Sequence, residues 1–380
     1  MTKKRILVAM SGGVDSSVTA ALLVEAGHEV VGATMKTFCY DETPGHSRTC
    51  CGLDGIMDAR RVADGLGIAH YVFDVEKEFT RDVIDDFVAE YAQGRTPNPC
   101  VRCNSNTKFG DLLRRGRALG CDTIATGHYV RSGVGPRGET ALYRGRDRDK
   151  DQAYFLWGLP SELLDLLHFP LGDLTKSQVR QRARDLDLLT AEKPESQEIC
   201  FVPTGDYRDL LKTRLRKRHP ALEPGPVVDL DGRTVGEHDG YAGFTVGQRK
   251  GLGGGFSEPH FVIRVDPERR AVVVGPRWAL ESRWVEVNDL NWFHAAPSEG
   301  EEVQVQIRHR ARPVEARIRD QESGELSLEL MEPQRAVTPG QSCAVFRGEQ
   351  LLGGGRIVKG VSAVDHSARQ GGTTKATPAQ

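Results

Sequence analysis

The stretch AMSGGVDSSV, residues 9–18, holds Ser11, Gly12, Gly13, Asp15, Ser16 and Ser17 between an apolar run, RILV, and TAALLVEAG, which is apolar at helical spacing. These residue types in this order suit phosphate binding. Two glycines let the backbone turn sharply and bare its amides, because no Cβ blocks the approach. Gly13 is expected to be the position where a side chain would obstruct that approach. The helix that follows aims its unpaired N–H groups and positive dipole end at the same place, and Ser16 and Ser17 add hydroxyls. Such a cradle holds anions. A plain strand–turn–helix with Asp15 or Ser16 as N-cap explains neither the full set of donors nor their position at the end of the first strand, where open α/β sheets bind ligands. The loop is not a Walker A, and it lacks the third glycine of a dinucleotide fingerprint.

A second chemistry lies in the cysteines. TPNPCVRCNSNTKFG starts at Thr96 and places Cys100 and Cys103 at C-x-x-C spacing, which suits half a zinc site or a redox pair. Pro97 and Pro99 oppose helix, so both cysteines are expected on a constrained loop. A helix from about Thr107 would favour a thiolate nearby. Cys200 lies in SQEICFV, and Cys50 and Cys51 are adjacent. Cys39, Cys121 and Cys343 read as small buried filler. Eight cysteines in a chain of this size do not form a disulfide framework. The net charge of −2 does not announce a nucleic-acid binder, but residues 208–219 hold six Lys/Arg and residues 308–319 hold five Arg. Two such runs suit an anionic polymer, although most charge runs are solvated faces.

These residues need a scaffold. With 380 residues and 38% hydrophobic content, the chain is too long for one ordinary core. No run of about 18 apolar residues is present, and the N-terminus enters a strand at once, so a cytoplasmic protein with no membrane contact is expected. RILVAM, EVVGATM, AHYVFDV and DTIATGH read as buried parallel strands alternating with helices over 16–26, 52–66, 77–91 and 108–119. This pattern predicts a doubly wound α/β sheet. HYVRSGVGPRGETALYRGRD reads as a hairpin. LTKSQVRQRARDLDL opens with a capping box, Thr175 and Gln178, and another helix is expected over 206–218. Asp231-Gly232 marks a turn. Short alternating strands from about Trp284 to Lys359 suggest an antiparallel barrel. The expected division is 1–210, a catalytic α/β domain; 211–278, a small mixed central domain; 279–362, a C-terminal β-barrel; and 363–380, a disordered tail.

SGGVDSS resembles the PP-loop of the ATP-pyrophosphatase superfamily, whose members split ATP between its α and β phosphates and adenylate an oxygen of a second substrate. With NPC..CN, ATGHY, KDQAYFL, EICF, GFTVGQRKGLG and PGQSCAVF following in order, nearly the whole chain is similar to the tRNA-specific 2-thiouridylases. The resemblance implies thiolation of the wobble uridine at C2 in tRNAs for Lys, Glu and Gln. It implies ATP bound by Ala9, Met10, Ser11, Gly12, Gly13, Val14, Asp15 and Ser16, with Met35 and Gly127, and Mg²⁺ as the accompanying ion. It assigns catalysis to Cys103 and the sulfur-carrying role to Cys200. It assigns the target base to Asn98, Pro99 and Cys100, and tRNA contacts to His128, Lys150, Asp151, Gln152, Arg308, His309 and Gln341. Many members carry Asp where Cys100 stands, which removes a carboxylate here. The implied partners are tRNA and a cysteine desulfurase or sulfur-relay protein that supplies a persulfide, leaving a Cys103–Cys200 disulfide to be reduced. Three rivals are an iron–sulfur cluster on Cys100, Cys103 and Cys200, another PP-loop ligase or amidotransferase, and a non-catalytic RNA-binding protein. The rear domains are expected to hold tRNA and the front one ATP, so a chain ended near Pro276 should still bind ATP.

Overall fold

In RILVA, alternate side chains point to opposite faces of a strand. Ile6 and Val8 bury into one layer and Leu7 into the other. The computed structural model describes residues 3–37, 53–195, 199–202, 205–216, 218–252, 256–322 and 324–361. Cys39, Cys50, Cys51, Lys217 and the 363–380 tail lie outside the described residues.

The front half carries strands β1 (Arg5–Ala9), β2 (Glu29–Lys36), β3 (Ala69–Asp74), β4 (Thr123–Ala125), β5 (Val130–Val134), β6 (Thr140–Arg144) and β7 (Leu167–His168). A parallel sheet in the order β3-β2-β1-β4-β7 forms its centre. Of its helices, α1 (Val14–Glu25), α2 (Leu53–Gly65), α4 (residues 99–118) and α5 (Lys176–Asp185) cover this sheet, while α3 (residues 76–92) and α6 (Tyr207–Arg214) bury Phe79, Phe87 and Leu211 in the core of the middle unit. Val18 of α1, Val62 of α2 and Val179 of α5 cover the Ile6/Val8 face, whereas Phe109 and Leu112 of α4 cover the Leu7 face. The sheet is therefore doubly wound, as its sequence pattern predicts. The capping box at α5 forms with both of its hydrogen bonds. Helix α6 stops at Arg214, short of residue 218, because Leu215 turns extended. No described helix is long and apolar enough to cross a membrane.

The middle unit is a four-stranded sheet of β8 (Gly225–Val228), β9 (Thr234–His238), β10 (His260–Asp266) and β11 (Ala271–Pro276), ordered β10-β11-β8-β9. Gly232 makes the β8–β9 turn at φ +82°. This sheet packs on α3 through Val227, Val262 and Val272 against Phe79, Phe87 and Tyr91.

The rear strands β12 (Glu281–Trp292), β13 (Glu302–Gln306), β14 (Val314–Glu322), β15 (Glu325–Arg335), β16 (Ser342–Arg347) and β17 (Gln350–Val361) run antiparallel, and β12 pairs with β17 to close a barrel. The β5–β6 hairpin of the front half then pairs with β17, placing Leu142 opposite Leu351. Ala344, Phe346 and Leu351 fill the same core as Leu142, Tyr154 and Leu156. Each buried aliphatic or aromatic side chain contributes roughly 1.5–3 kcal/mol. Ending the chain near Pro276 would open this shared core, so the front half cannot be expected to stand alone as its sequence suggested.

Candidate functional site

The loop after β1 differs from its expected capping pattern. Gly13 is the N-cap of α1, with extended backbone and no side-chain cap, and Asp15 and Ser16 lie inside the first turn. Ser16 Oγ donates to Gly13 O at 3.0 Å and accepts from Ser11 N at 3.2 Å, while Ser17 Oγ donates to Gly13 O at 2.9 Å. The hydroxyls thus brace the loop. The residue whose side chain the fold excludes is Gly12, not Gly13. Gly12 has φ +73°, and a Cβ there would stand 2.1 Å from Gly55 O, whereas one on Gly13 would meet only Ser11 Oγ at 3.5 Å.

Behind the loop lies a charge network that the sequence reading missed. Lys176 Nζ, at the start of α5, donates to both carboxylate oxygens of Asp15 at 2.8 Å, and Tyr129 Oη donates to Asp15 Oδ1 at 2.8 Å. Asp15 is thereby held by a lysine and a tyrosine hydroxyl. Glu195 pairs with Lys176 at 2.8 Å and Lys150 at 2.7 Å. Burial opposes the Glu195 charge, yet the hydrogen bonds and charges of those lysines bring its carboxyl down to about 2. Lys193 Nζ donates to Gly12 O at 2.9 Å and to Asp58 at 2.6 Å. Nothing in the sequence separates Lys176 and Lys193 from other lysines; only the fold brings them to the loop.

A cavity of about 370 Å³ opens beside the loop, outside the carboxyl ends of β1, β2 and β4, where doubly wound sheets bind ligands. Of the expected nucleotide residues, Ala9, Met10, Ser11, Asp15, Ser16, Met35 and Gly127 line it, whereas Val14 is buried in the core. Gly127 lets its loop close on α1, since a Cβ there would stand 2.9 Å from Asp15 C and 3.0 Å from Ser16 N. Pro99, Cys100, Cys103 and Cys200 line the same cavity, as do Thr34, Lys108 and Phe155, which the sequence reading did not single out.

Cys100 and Cys103 do not sit on a loop. Helix α4 begins at Pro99, because proline at the first helical position forfeits an N–H that would have no helical partner. From Cys103 to Asp111 the helix widens to π geometry, with hydrogen bonds five residues apart. The segment before it is pinned by the barrel: Gln341 Nε2 donates to Thr96 O at 2.9 Å and Pro97 O at 3.0 Å, and Thr96 N donates to Pro339 O at 2.8 Å. Arg356 of β17 reaches Asp86 and Glu90 of α3 at 2.9 and 2.7 Å. Asn98 lines a separate cavity of about 150 Å³ on the other side of α4, with Trp157 and Arg356.

The expected tRNA contacts are dispersed. His128 is buried in the cavity wall between Phe109 and Phe169, its Nδ1 2.7 Å from Thr126 Oγ1. Burial, and then the charge of Lys108, push its pKa well down. Asp151 accepts from Arg144 Nε at 2.6 Å and from two backbone amides, while Gln152 accepts from Tyr129 N and lines the cavity. Arg308 and His309 are exposed on a barrel turn, their carbonyls held by Gln306 Nε2 at 3.1 and 2.7 Å. His309 lies beside Phe155, ring centroids 4.3 Å apart. Cys121 and Cys343 are buried, and burial raises both thiols, that of Cys343 to about 12. Among the described residues no group of three or more His, Cys, Asp or Glu side chains could hold a metal ion.

A parallel doubly wound sheet with a glycine loop at its switch point, fused to a small mixed sheet and a closed barrel, defines a nucleotide-site α/β protein with two β modules. Residues 4–204 match the family described as tRNA methyl transferase HUP domain, residues 210–276 its PRC-barrel domain, and residues 282–357 the aminomethyltransferase beta-barrel domain. The chain is 48% identical to the tRNA-specific 2-thiouridylase MnmA of Carboxydothermus hydrogenoformans, over 94% of this chain and 98% of that protein. The protein of the same name from Rhodospirillum centenum is 47% identical, over 93% and 92%, and that from Geobacter metallireducens 48%, over 93% and 97%. The chain belongs to the tRNA-specific 2-thiouridylase family.

Proposed function

We propose that the chain is a tRNA-uridine 2-sulfurtransferase that uses ATP to activate the C2 oxygen of a wobble uridine in tRNAs for Lys, Glu and Gln. The observation that carries this reading is the single cavity lined by Ser11 and Ser16 of the glycine loop, by Cys103, and by Cys200. A uracil C2 oxygen is a poor leaving group. Its attack on the α-phosphorus of ATP expels pyrophosphate and turns it into part of a phosphate ester, which leaves readily. Positioning and charge stabilisation carry such a transfer.

Sulfur arrives as a persulfide on Cys200, delivered by a cysteine desulfurase or a relay protein. Its terminal sulfur bonds to C2 as AMP departs. The Cys103 thiolate then attacks Cys200 Sγ, the S–S bond breaks, 2-thiouridine is released, and a Cys103–Cys200 disulfide remains for a dithiol reductant. The thiolate is the attacking form, and the base must leave the anticodon stack to reach it.

The test separates the two halves. Cys103→Ser and Cys200→Ser should each release pyrophosphate in the presence of tRNA and form no 2-thiouridine, while Cys121→Ser, remote from the cavity, should thiolate as wild type does. Thiouridine produced at the normal rate by either of the first two variants would overturn the scheme.

A further inference from the structure

Among the described residues, the charged side chains lining the site cavity are Asp15 and Lys108. Asp15 is neutralised by Lys176. The other lysines near the loop are also matched: Lys193 to Asp58, and Lys150 to Glu195. Lys108 makes no hydrogen bond or ion pair with any described residue. An ammonium with no carboxylate partner among the described residues, in a half-enclosed cavity, favours an anion coming to it.

Its place on α4 is specific. Lys108 follows Cys103 by five residues within the π-helical segment. On an α-helix, with 3.6 residues per turn, a residue five positions on points well away from the first. Where the backbone bonds at five-residue intervals, it stands about one turn above it, on the same side. Both residues do line the cavity. Lys108 also faces His128, whose buried imidazole its charge helps keep neutral, so no second cation competes at that wall.

We propose that Lys108 is a further catalytic residue, whose ammonium contacts the α-phosphoryl oxygens of ATP during adenylation; this rests on the sulfurtransferase reading above. The chemistry locates the contact. Cys103 must reach Cys200 Sγ while the persulfide sulfur is bonded to C2, and in the adenylated uridine the phosphorus is two bonds from that carbon. A cation one helical turn from Cys103 is therefore beside the α-phosphorus, whereas the glycine loop and its lysines lie towards the pyrophosphate. As the uracil oxygen–phosphorus bond forms and the phosphorus–pyrophosphate bond breaks, charge gathers on the equatorial oxygens. Lys108 offsets it as a point charge.

Lys108→Met and Lys108→Arg are compared with wild type for tRNA-dependent pyrophosphate release in single turnover, for 2-thiouridine, for ATP affinity and for thermal midpoint. Removal of one such donor costs about 100-fold in rate. Lys108→Met should show that loss with ATP affinity and midpoint little changed, and Lys108→Arg should recover part of it. Pyrophosphate release by Lys108→Met at the wild-type rate overturns the proposal. So does loss of thiolation alone, accompanied by an upward shift in the pH profile of iodoacetamide alkylation at Cys103, which would make Lys108 a partner of the thiolate. Equal loss in both variants with a lowered midpoint also overturns it, as a structural effect. A wild-type enzyme that releases no pyrophosphate with tRNA overturns the sulfurtransferase reading as well.

Discussion

Replacing Gly12 with alanine adds one methyl group where the fold leaves no room. Two costs arise. The first is conformational: at φ +73° a Cβ meets its own carbonyl, which costs about 1–2 kcal/mol. The second is a collision. The new carbon would stand 2.1 Å from Gly55 O, where ordinary contact begins at 3.4 Å, so the loop or α2 must retreat by about 1.3 Å. Overpacking of this kind costs about 1–3 kcal/mol. Gly27 separates the two costs, because it has φ +80° and nothing within 4 Å of its Cβ position. Gly27→Ala should lose only the conformational part in a denaturant titration, and Gly12→Ala about 2–5 kcal/mol in all. A displacement of about 1 Å at a reacting group costs on the order of 100-fold in rate, so pyrophosphate release should fall by that much in Gly12→Ala and stay normal in Gly27→Ala. A Gly12→Ala protein as stable as Gly27→Ala, with normal pyrophosphate release, would refute both the collision and the role given to the loop.

Glu195 gives a pH-dependent prediction. Its folded carboxyl lies at about 2, below the ordinary 4.5, so the stability it contributes is present above pH 4.5 and is lost as pH falls towards 2. Glu195→Gln should flatten the unfolding midpoint across that window, and an unchanged slope there would remove the Lys150–Glu195–Lys176 network from the account. Gln341→Ala removes two hydrogen bonds from the segment before α4 and should lower stability by about 1–3 kcal/mol, with thiolation falling more than pyrophosphate release; equal effects on both would argue against a positioning role. Arg308→Ala with Arg310→Ala should raise the KM for tRNA and reduce the salt slope of binding, leaving ATP affinity as it was. A salt slope equal to wild type in that double variant would move the tRNA surface elsewhere.

The parallel strands were legible because each is a short apolar run separated from the next by helical spacing, and the barrel because its strands alternate. β7 was missed because two residues carry no period. The start of α4 is not legible in the sequence because proline opposes helix in general, although at the first helical position it is tolerated. The role of Gly12 could not be separated from that of Gly13, since the obstructing atom belongs to Gly55, far along the chain. The same holds for the lysines. Asp15 meets Lys176 and Gly12 meets Lys193 only once α5 and the segment beyond it have folded back over α1. The two cysteines of the proposed chemistry could be singled out from their motifs, but their common cavity could not, because it depends on the middle sheet packing against α3.

The pairing of β6 with β17 also bears on how the molecule is born. β6 ends at Arg144 and its partner begins at Gln350. Translation runs at about 5–20 residues per second, so the hairpin waits roughly 10–40 s for the strand that covers it. During that interval the nascent front half presents an unpaired strand edge, the feature that invites association with other chains, together with the apolar side chains that Phe346 and Leu351 later cover. Folding of the catalytic half is therefore completed only near the end of synthesis, and a ribosome that stalls within the barrel releases a product whose front half is left sticky as well as incomplete.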